Sequence, residues 1–234
     1  MKLAVMQPYF FPYIGYFQLI HAADKFVFYD DVNFIKGGWI NRNRILINEE
    51  PKYFSVSLNN ISSYRKTCET KINHQQFNHW KKKFYKTLEQ HYGKRPFYAK
   101  VLPIINEVLE KDEQNIGALA KKSVVKILNY LKIEKEIVWS SDIYGNSNLK
   151  REERILNICV EEKTAEYINL IGGKTIYSKT DFQAEGVELH FLEPLLTPYP
   201  QNSNEFIPSL SIIDVLMNNS KEQVQHMLLD YELQ

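Results

Sequence analysis

Short apolar runs bounded by breakers alternate with longer amphipathic stretches along most of this chain. Lys2–Met6 and residues 26–29 are β-rich runs of four or five residues that read as buried strands. Between them, residues 13–23 place Ile14, Phe17 and Ile20 or His21 near one helical face, with Pro12 where a first turn tolerates proline. The pattern predicts a βαβ unit from residue 2 onward. A polar loop follows, from Asp30-Asp31 to the glycine pair Gly37-Gly38. Residues 39–47 and 52–58 read as strands joined by a hairpin-like turn at Asn48-Glu-Glu-Pro51.

The period lengthens after residue 72. Helices are predicted over residues 74–92, ending near Gly93, then over 98–110 and 115–131. A strand at 137–139, a Ser/Asn/Gly-rich loop to 148, a helix over 149–162 and a strand at 166–170 come next. Gly172-Gly173 marks a turn, 187–192 a strand, and 197–208, with three prolines, a long loop. Residues 212–229 close the pattern as one or two helices. The expected fold is α/β: a mostly parallel, Rossmann-like sheet flanked by helices. It is read as a single α/β domain over 1–234, with a helical insertion at 73–132 and C-terminal helices at 209–234.

Composition narrows the function classes. Of the 234 residues, 44% are hydrophobic and 24% charged, so a packed core is expected. A formal net charge of +1 argues against a generally basic nucleic-acid binder, and no nucleic-acid partner is expected. Fifteen tyrosines offer flat faces with a hydroxyl, suited to sugars, nucleobases and wet interfaces, or simply to filling a core. Cys68 and Cys159 lie far apart and form no metal spacing. The first apolar run is too short for a signal peptide, and no run approaches the roughly 20 apolar residues of a membrane span. The expectation is a cytoplasmic protein.

The first strand-to-helix loop draws most attention, because ligands of open parallel sheets bind beyond the carboxyl ends of the strands. Here Gln7-Pro-Tyr-Phe-Phe-Pro-Tyr-Ile-Gly-Tyr16 carries tyrosines where phosphate loops carry glycines. Two prolines fix its backbone, Gly15 permits a close approach, and the helix start near Tyr13 offers N–H groups to an anion. A rigid packed corner would use the same residues. Asp30 and Asp31, at a strand end, suit a sugar hydroxyl, a magnesium ion or general-base work, or a simple turn. Trp39-Ile-Asn-Arg-Asn-Arg44 alternates, sending Asn41 and Asn43 to one face and Arg42 and Arg44 to the other. An arginine there suits phosphate or carboxylate, and one of the two is expected to face the site. His74 and His79 miss the i, i+4 pairing of zinc helices, and no metal site is expected. The basic run Lys81-Lys82-Lys83 reads as a solvated face or a lid over an anion. Ser140-Ser141 after a strand could cradle phosphate, while Lys150 and Arg154 share a helix face. Ser211 with Asp214 reads as a helix start.

Tyr13-Ile-Gly-Tyr16 resembles the HIGH-type nucleotidylyltransferase motif, with the glycine kept and both histidines replaced by tyrosine. The whole chain resembles the WbqC-like protein family. The residues that carry this are Met6-Gln-Pro-Tyr-Phe-Phe-Pro-Tyr-Ile-Gly-Tyr16, Tyr29-Asp-Asp-Val32, Gly38-Trp-Ile-Asn-Arg-Asn-Arg44, Tyr167-Ile-Asn-Leu170 with Gly172-Gly173, and Leu210-Ser-Ile-Ile-Asp214. The resemblance implies a bacterial protein of surface-polysaccharide or O-antigen biosynthesis, some members being described as glycine transferases acting on amino sugars. Carried over position by position, it implies Asp30, Asp31 and Lys36 as catalytic residues. Gln7, Tyr9, Tyr13, Gly15, Tyr16, Asn41, Arg42 and Asn43 would bind substrate.

The expected activity is acyl or aminoacyl transfer to an amino sugar, possibly nucleotide-linked, with ATP and magnesium as candidate co-reactants and no cofactor assigned. Two alternatives stand beside it: nucleotidylyl transfer to a sugar phosphate, and non-catalytic binding of a nucleotide sugar. The partner is a small molecule, and the oligomeric state is left open.

Overall fold

A computed structural model describes residues 1–110 and 113–234. In chain order the elements are β1 (Lys2–Met6), α1 (Ile14–Ala22), β2 (Lys25–Phe28), β3 (Arg42–Ile47) and β4 (Glu50–Ser55). Three helices follow: α2 (His74–Tyr92), α3 (Tyr98–Glu110) and α4 (Ile116–Tyr130). Then come β5 (Glu136–Val138), α5 (Arg151–Glu161), β6 (Glu166–Leu170), α6 (Lys179–Ala184) and β7 (Glu188–Pro194). The last are α7 (Ile212–Asn218), α8 (Lys221–Met227) and β8 (Tyr231–Leu233).

The main sheet runs β5-β2-β1-β6-β7-β8. The first five strands are parallel to one another, and β8 joins antiparallel to β7. Counting only the parallel strands, the order is 3-2-1-4-5, that of doubly wound sheets, with its switch point between β1 and β6. The order is shared by many such sheets and carries nothing particular to HIGH-type enzymes.

Side-chain alternation divides the sheet into two buried faces, as a parallel sheet under helices requires. Ala4, Phe26, Phe28, Ile168 and Leu192 pack on one side, with α1, α4 and α7. Leu3, Val5, Val27, Tyr167, Leu189 and Phe191 pack on the other, with Ile155, Ile158 and Cys159 of α5 and Phe182 of α6. The central strands β1 and β2 are nearly continuous apolar runs for this reason. Both cysteines are free, Cys159 in the core and Cys68 half-buried.

A separate hairpin, β3–β4, pairs Ile47 with Glu50 across a two-residue turn. Asn48 and Glu49 sit at φ 50° and 62°, the type I′ geometry that suits strand twist. The turn is therefore tighter than the four residues read from sequence, and Trp39 lies outside the strand. Asparagines cap α2 and α4: Asn73 Oδ1 accepts from Gln76 N and Asn115 Oδ1 from Ala118 N. Lys82 and Lys83 of the basic run are exposed, while Phe77, Phe84 and Leu88 face inward. Neither α6 nor β8 was legible as an element. Among the described residues no helix is long and apolar enough to cross a membrane.

Candidate functional site

The loop from β1 to α1 owes most of its rigidity to other parts of the chain. Phe10 N donates to the Trp39 carbonyl (3.0 Å), and Phe11 N to Ser123 Oγ on α4 (2.9 Å). Asn43 Nδ2, on β3, donates to the carbonyls of Phe10 (3.3 Å) and Phe11 (2.9 Å). Ser211 Oγ donates to Phe11 O (2.7 Å) and Ile212 N to Pro12 O (2.8 Å). Three distant elements thus hold Phe11 at φ +42°, a left-handed conformation that non-glycine residues rarely adopt. Such strain persists where surroundings over-determine it, and it gathers at functional sites.

Beside this loop opens a cavity of about 250 Å³, lined by Tyr9, Pro12, Tyr13, Trp39, Asn43 and Ser209. Ser209 is also left-handed, at φ +58°, so strained backbone stands on both sides of the cavity. Burial raises the Tyr9 phenol, and burial with Tyr9 nearby pushes Tyr13 up to about 12. Both are neutral phenols near neutral pH, fit to give and accept hydrogen bonds but not to act as bases. The arrangement of three aromatic side chains with a serine matches what a sugar ring offers, C–H faces and hydroxyls, while the Asn43 amide is spent on the loop carbonyls.

Tyr13 occupies the N-cap of α1 without a side-chain capping bond. Its ring lies instead against Gly15, where an added Cβ would stand 2.4 Å from Tyr13 Cε2 and 2.7 Å from Pro194 Cγ. Gly15 therefore makes room for a tyrosine ring, not for a ligand, and the expected anion seat at the start of α1 is covered. Tyr16 is fully buried; its hydroxyl donates to the Gln7 carbonyl (2.9 Å) and its ring lies 5.5 Å from that of Tyr9. It supports the cavity wall from behind. Gln7 is half-buried at the end of β1.

Asp30 and Asp31 are not free carboxylates facing a cleft. They are 1% and 3% exposed, and each is held in an ion pair. Asp30 accepts from Lys121 Nζ of α4 (2.7 Å) and from Ser140 Oγ (2.6 Å). Asp31 accepts from Arg154 Nη2 of α5 and from Ser141 Oγ. The strand parity of β2 explains the divergence: Asp30 continues the face of Phe26 and Phe28, Asp31 that of Val27. Ser140 and Ser141 serve these aspartates rather than a phosphate. Lys36 is exposed in the loop before Gly37.

Asn41 Nδ2 donates to Val56 O (3.0 Å), closing the open end of the hairpin. Arg42 Nε donates to the Gly38 carbonyl (3.2 Å) and Nη2 to that of Gly37. It is Arg44 that reaches the cavity rim, with Nη2 3.5 Å from Ser209 O. Of the predicted site residues, the structure brings Tyr9, Tyr13 and Asn43 together, with Tyr16 behind them and Asp30, Asp31 and Lys36 elsewhere. Sequence reasoning missed Trp39 and Ser209 as cavity walls and Ser123 and Ser211 as anchors. Ser211 caps α7 and Asp214 lies in its first turn, as the sequence reading has it. Asp214 also accepts from the Tyr92 hydroxyl (2.5 Å) and the Tyr199 hydroxyl (2.8 Å), and burial raises it from its ordinary value. Among the described residues, no three His, Cys, Asp or Glu side chains gather as a metal-holding group.

The profile of the WbqC-like protein family matches residues 7–226. An uncharacterized protein of Mycobacterium tuberculosis is 27% identical over 229 residues, spanning 97% of each chain. No solved structure matches the chain.

Proposed function

This chain belongs to the WbqC-like protein family, and on that premise we propose that it is a transferase of bacterial surface-polysaccharide (O-antigen) biosynthesis. It moves an acyl or aminoacyl group, glycyl first among them, onto an amino sugar. The observation that carries the reading is the cavity between Tyr9, Tyr13 and Trp39. At about 250 Å³ it falls just below the roughly 300–1,000 Å³ of drug-sized sites, the scale of one sugar ring. Ser209 supplies a polar side chain at its wall, and Asn43, bonded to the Phe10 and Phe11 carbonyls, keeps the wall from relaxing. Holding the amino group still against an activated carboxyl is a catalytic contribution that needs no base in the wall.

The test is direct. The protein is incubated with glycine, magnesium ATP and a panel of nucleotide-linked amino sugars, and products are read by mass spectrometry. An amide product that disappears in Tyr13→Ala is expected. Absence of amide and of ATP cleavage across the panel overturns the transferase reading. A second reading, a binding protein without turnover, is favoured by one observation: both aspartates are locked in ion pairs. It predicts thermal stabilisation by an amino sugar without product.

A further inference from the structure

The cavity has room for one sugar ring, so any carrier attached to that sugar must lie outside it. On the face of the β3–β4 hairpin turned from the core, four side chains form a row. Arg42 Cζ lies 4.5 Å from the centre of the Tyr53 ring. The Tyr53 ring stands 6.1 Å from that of Trp39, 28° from parallel. Arg44 Cζ lies 5.6 Å from the Trp39 ring. Strand register builds the row: Arg44 pairs with Tyr53 across the ladder and Arg42 shares its face, while Asn43, Ile45 and Phe54 point inward.

The row begins at the cavity. Trp39 lines it, and Arg44 touches Ser209, which lines it too. Among the described residues neither guanidinium is paired with a carboxylate. Arg42 spends Nε and Nη2 on the carbonyls of Gly38 and Gly37. Among the described residues, the Arg44 guanidinium has a single hydrogen bond, the 3.5 Å contact through Nη2, and its Nε is buried with no acceptor. A buried cationic donor left unmade is costly, so it calls for an acceptor that the described residues do not provide. Tyr53, 54% exposed, offers ring surface to solvent.

We infer that this row seats a nucleoside diphosphate, the carrier of the sugar in the cavity. Arg44 takes the diphosphate oxygens at the rim, where guanidinium geometry suits phosphate. Tyr53 takes the base by stacking, and Arg42, pinned by two carbonyls, fixes the Tyr53 ring and adds positive charge. The inference rests on the reading that a sugar occupies the cavity.

Calorimetric titration of the full chain with uridine, thymidine, guanosine and cytidine diphosphates, and with inorganic pyrophosphate, tests it. At least one nucleoside diphosphate is expected to bind, about tenfold more weakly in Arg44→Gln. Tyr53→Ala should weaken it about tenfold and leave pyrophosphate unchanged, while Tyr53→Phe keeps full affinity. Thermal melts check that each variant is folded. No binding by any nucleoside diphosphate overturns the inference. So does pyrophosphate binding as tight as the nucleotide with no effect of Tyr53→Ala, which would make the row a plain anion site. Free amino sugar, followed by tryptophan fluorescence, separates the two readings. If it binds and is acylated while nucleotides fail, the carrier assignment falls alone. If nucleotide binding follows Arg44 and Tyr53 but no amide ever forms, the transferase reading falls and the carrier seat stands.

Discussion

Arg154 donates through one nitrogen, Nη2, to both oxygens of Asp31, at 2.7 and 2.6 Å, across 123 positions of sequence. Asp30, the preceding residue, turns to the opposite face of the sheet and Lys121. Two neighbouring carboxylates therefore tie α4 and α5 to the end of one strand.

Removing one partner of such a pair strands a buried charge. Arg154→Ala is expected to lower stability by about 3–5 kcal/mol. Replacing both partners, Asp31→Leu with Arg154→Met, should recover a large part of that loss. Urea denaturation measures both. A loss below about 1 kcal/mol in the single variant would mean that water reaches Asp31.

Gly15→Ala places a methyl group where the Tyr13 ring lies. Both the ring and Pro194 must yield, at a cost of about 1–3 kcal/mol. Because the Tyr13 ring is a cavity wall, amino-sugar binding should fall along with stability. The double variant Gly15→Ala with Tyr13→Ala removes the ring clash but keeps that with Pro194, so it should regain at most part of the stability and none of the binding.

Ser209→Gly separates the two properties. Glycine relieves the φ of +58° but loosens the unfolded chain, and these effects offset to within about 1 kcal/mol. The cavity loses a hydroxyl. The melting temperature should stay nearly unchanged while affinity for an amino sugar drops; unchanged affinity would remove Ser209 from the wall.

Asp214 gives a pH dependence with a defined sign. Burial, opposed by the hydrogen bonds of Tyr92 and Tyr199 and by Arg95, raises it from the ordinary value of 3.8. Above 3.8 and up to its raised value, the folded chain holds a proton that the unfolded chain has released. Stability then falls as pH rises through that window. The difference in urea midpoint between the native chain and Asp214→Asn should shrink as pH rises above about 4. A difference independent of pH would show that Asp214 titrates as an ordinary aspartate.

Local patterns made much of the fold legible. Lys2–Met6, His74–Tyr92, Tyr98–Glu110 and Glu166–Leu170 have the limits read from apolar period and breakers. The strand at residues 231–233 has too few residues for a period, and only pairing with β7 defines it. At the site, the aromatic loop was visible because prolines and tyrosines cluster there in sequence. The partners of Asp30 and Asp31 were not, since lysine and arginine 91 and 123 positions away carry no mark of which acid they meet. Alternation placed Arg42 and Arg44 on one face correctly. Which of them reaches the rim depends on Ser209, 165 positions from Arg44. Ser123 and Ser211 were illegible for the same reason: a single hydroxyl that anchors a distant carbonyl or amide leaves no local pattern.

Strand β8 closes one side of the main sheet, with Gln234 and Phe191 exchanging both backbone bonds at 2.9 and 3.0 Å. The opposite side ends in β5, a strand of only three residues. Long unpaired margins invite a neighbouring polypeptide to extend a sheet and seed aggregates. Deleting residues 231–234 would strip the pairing from Phe191–Pro194 and leave the whole outer margin of β7 open as a template for self-association.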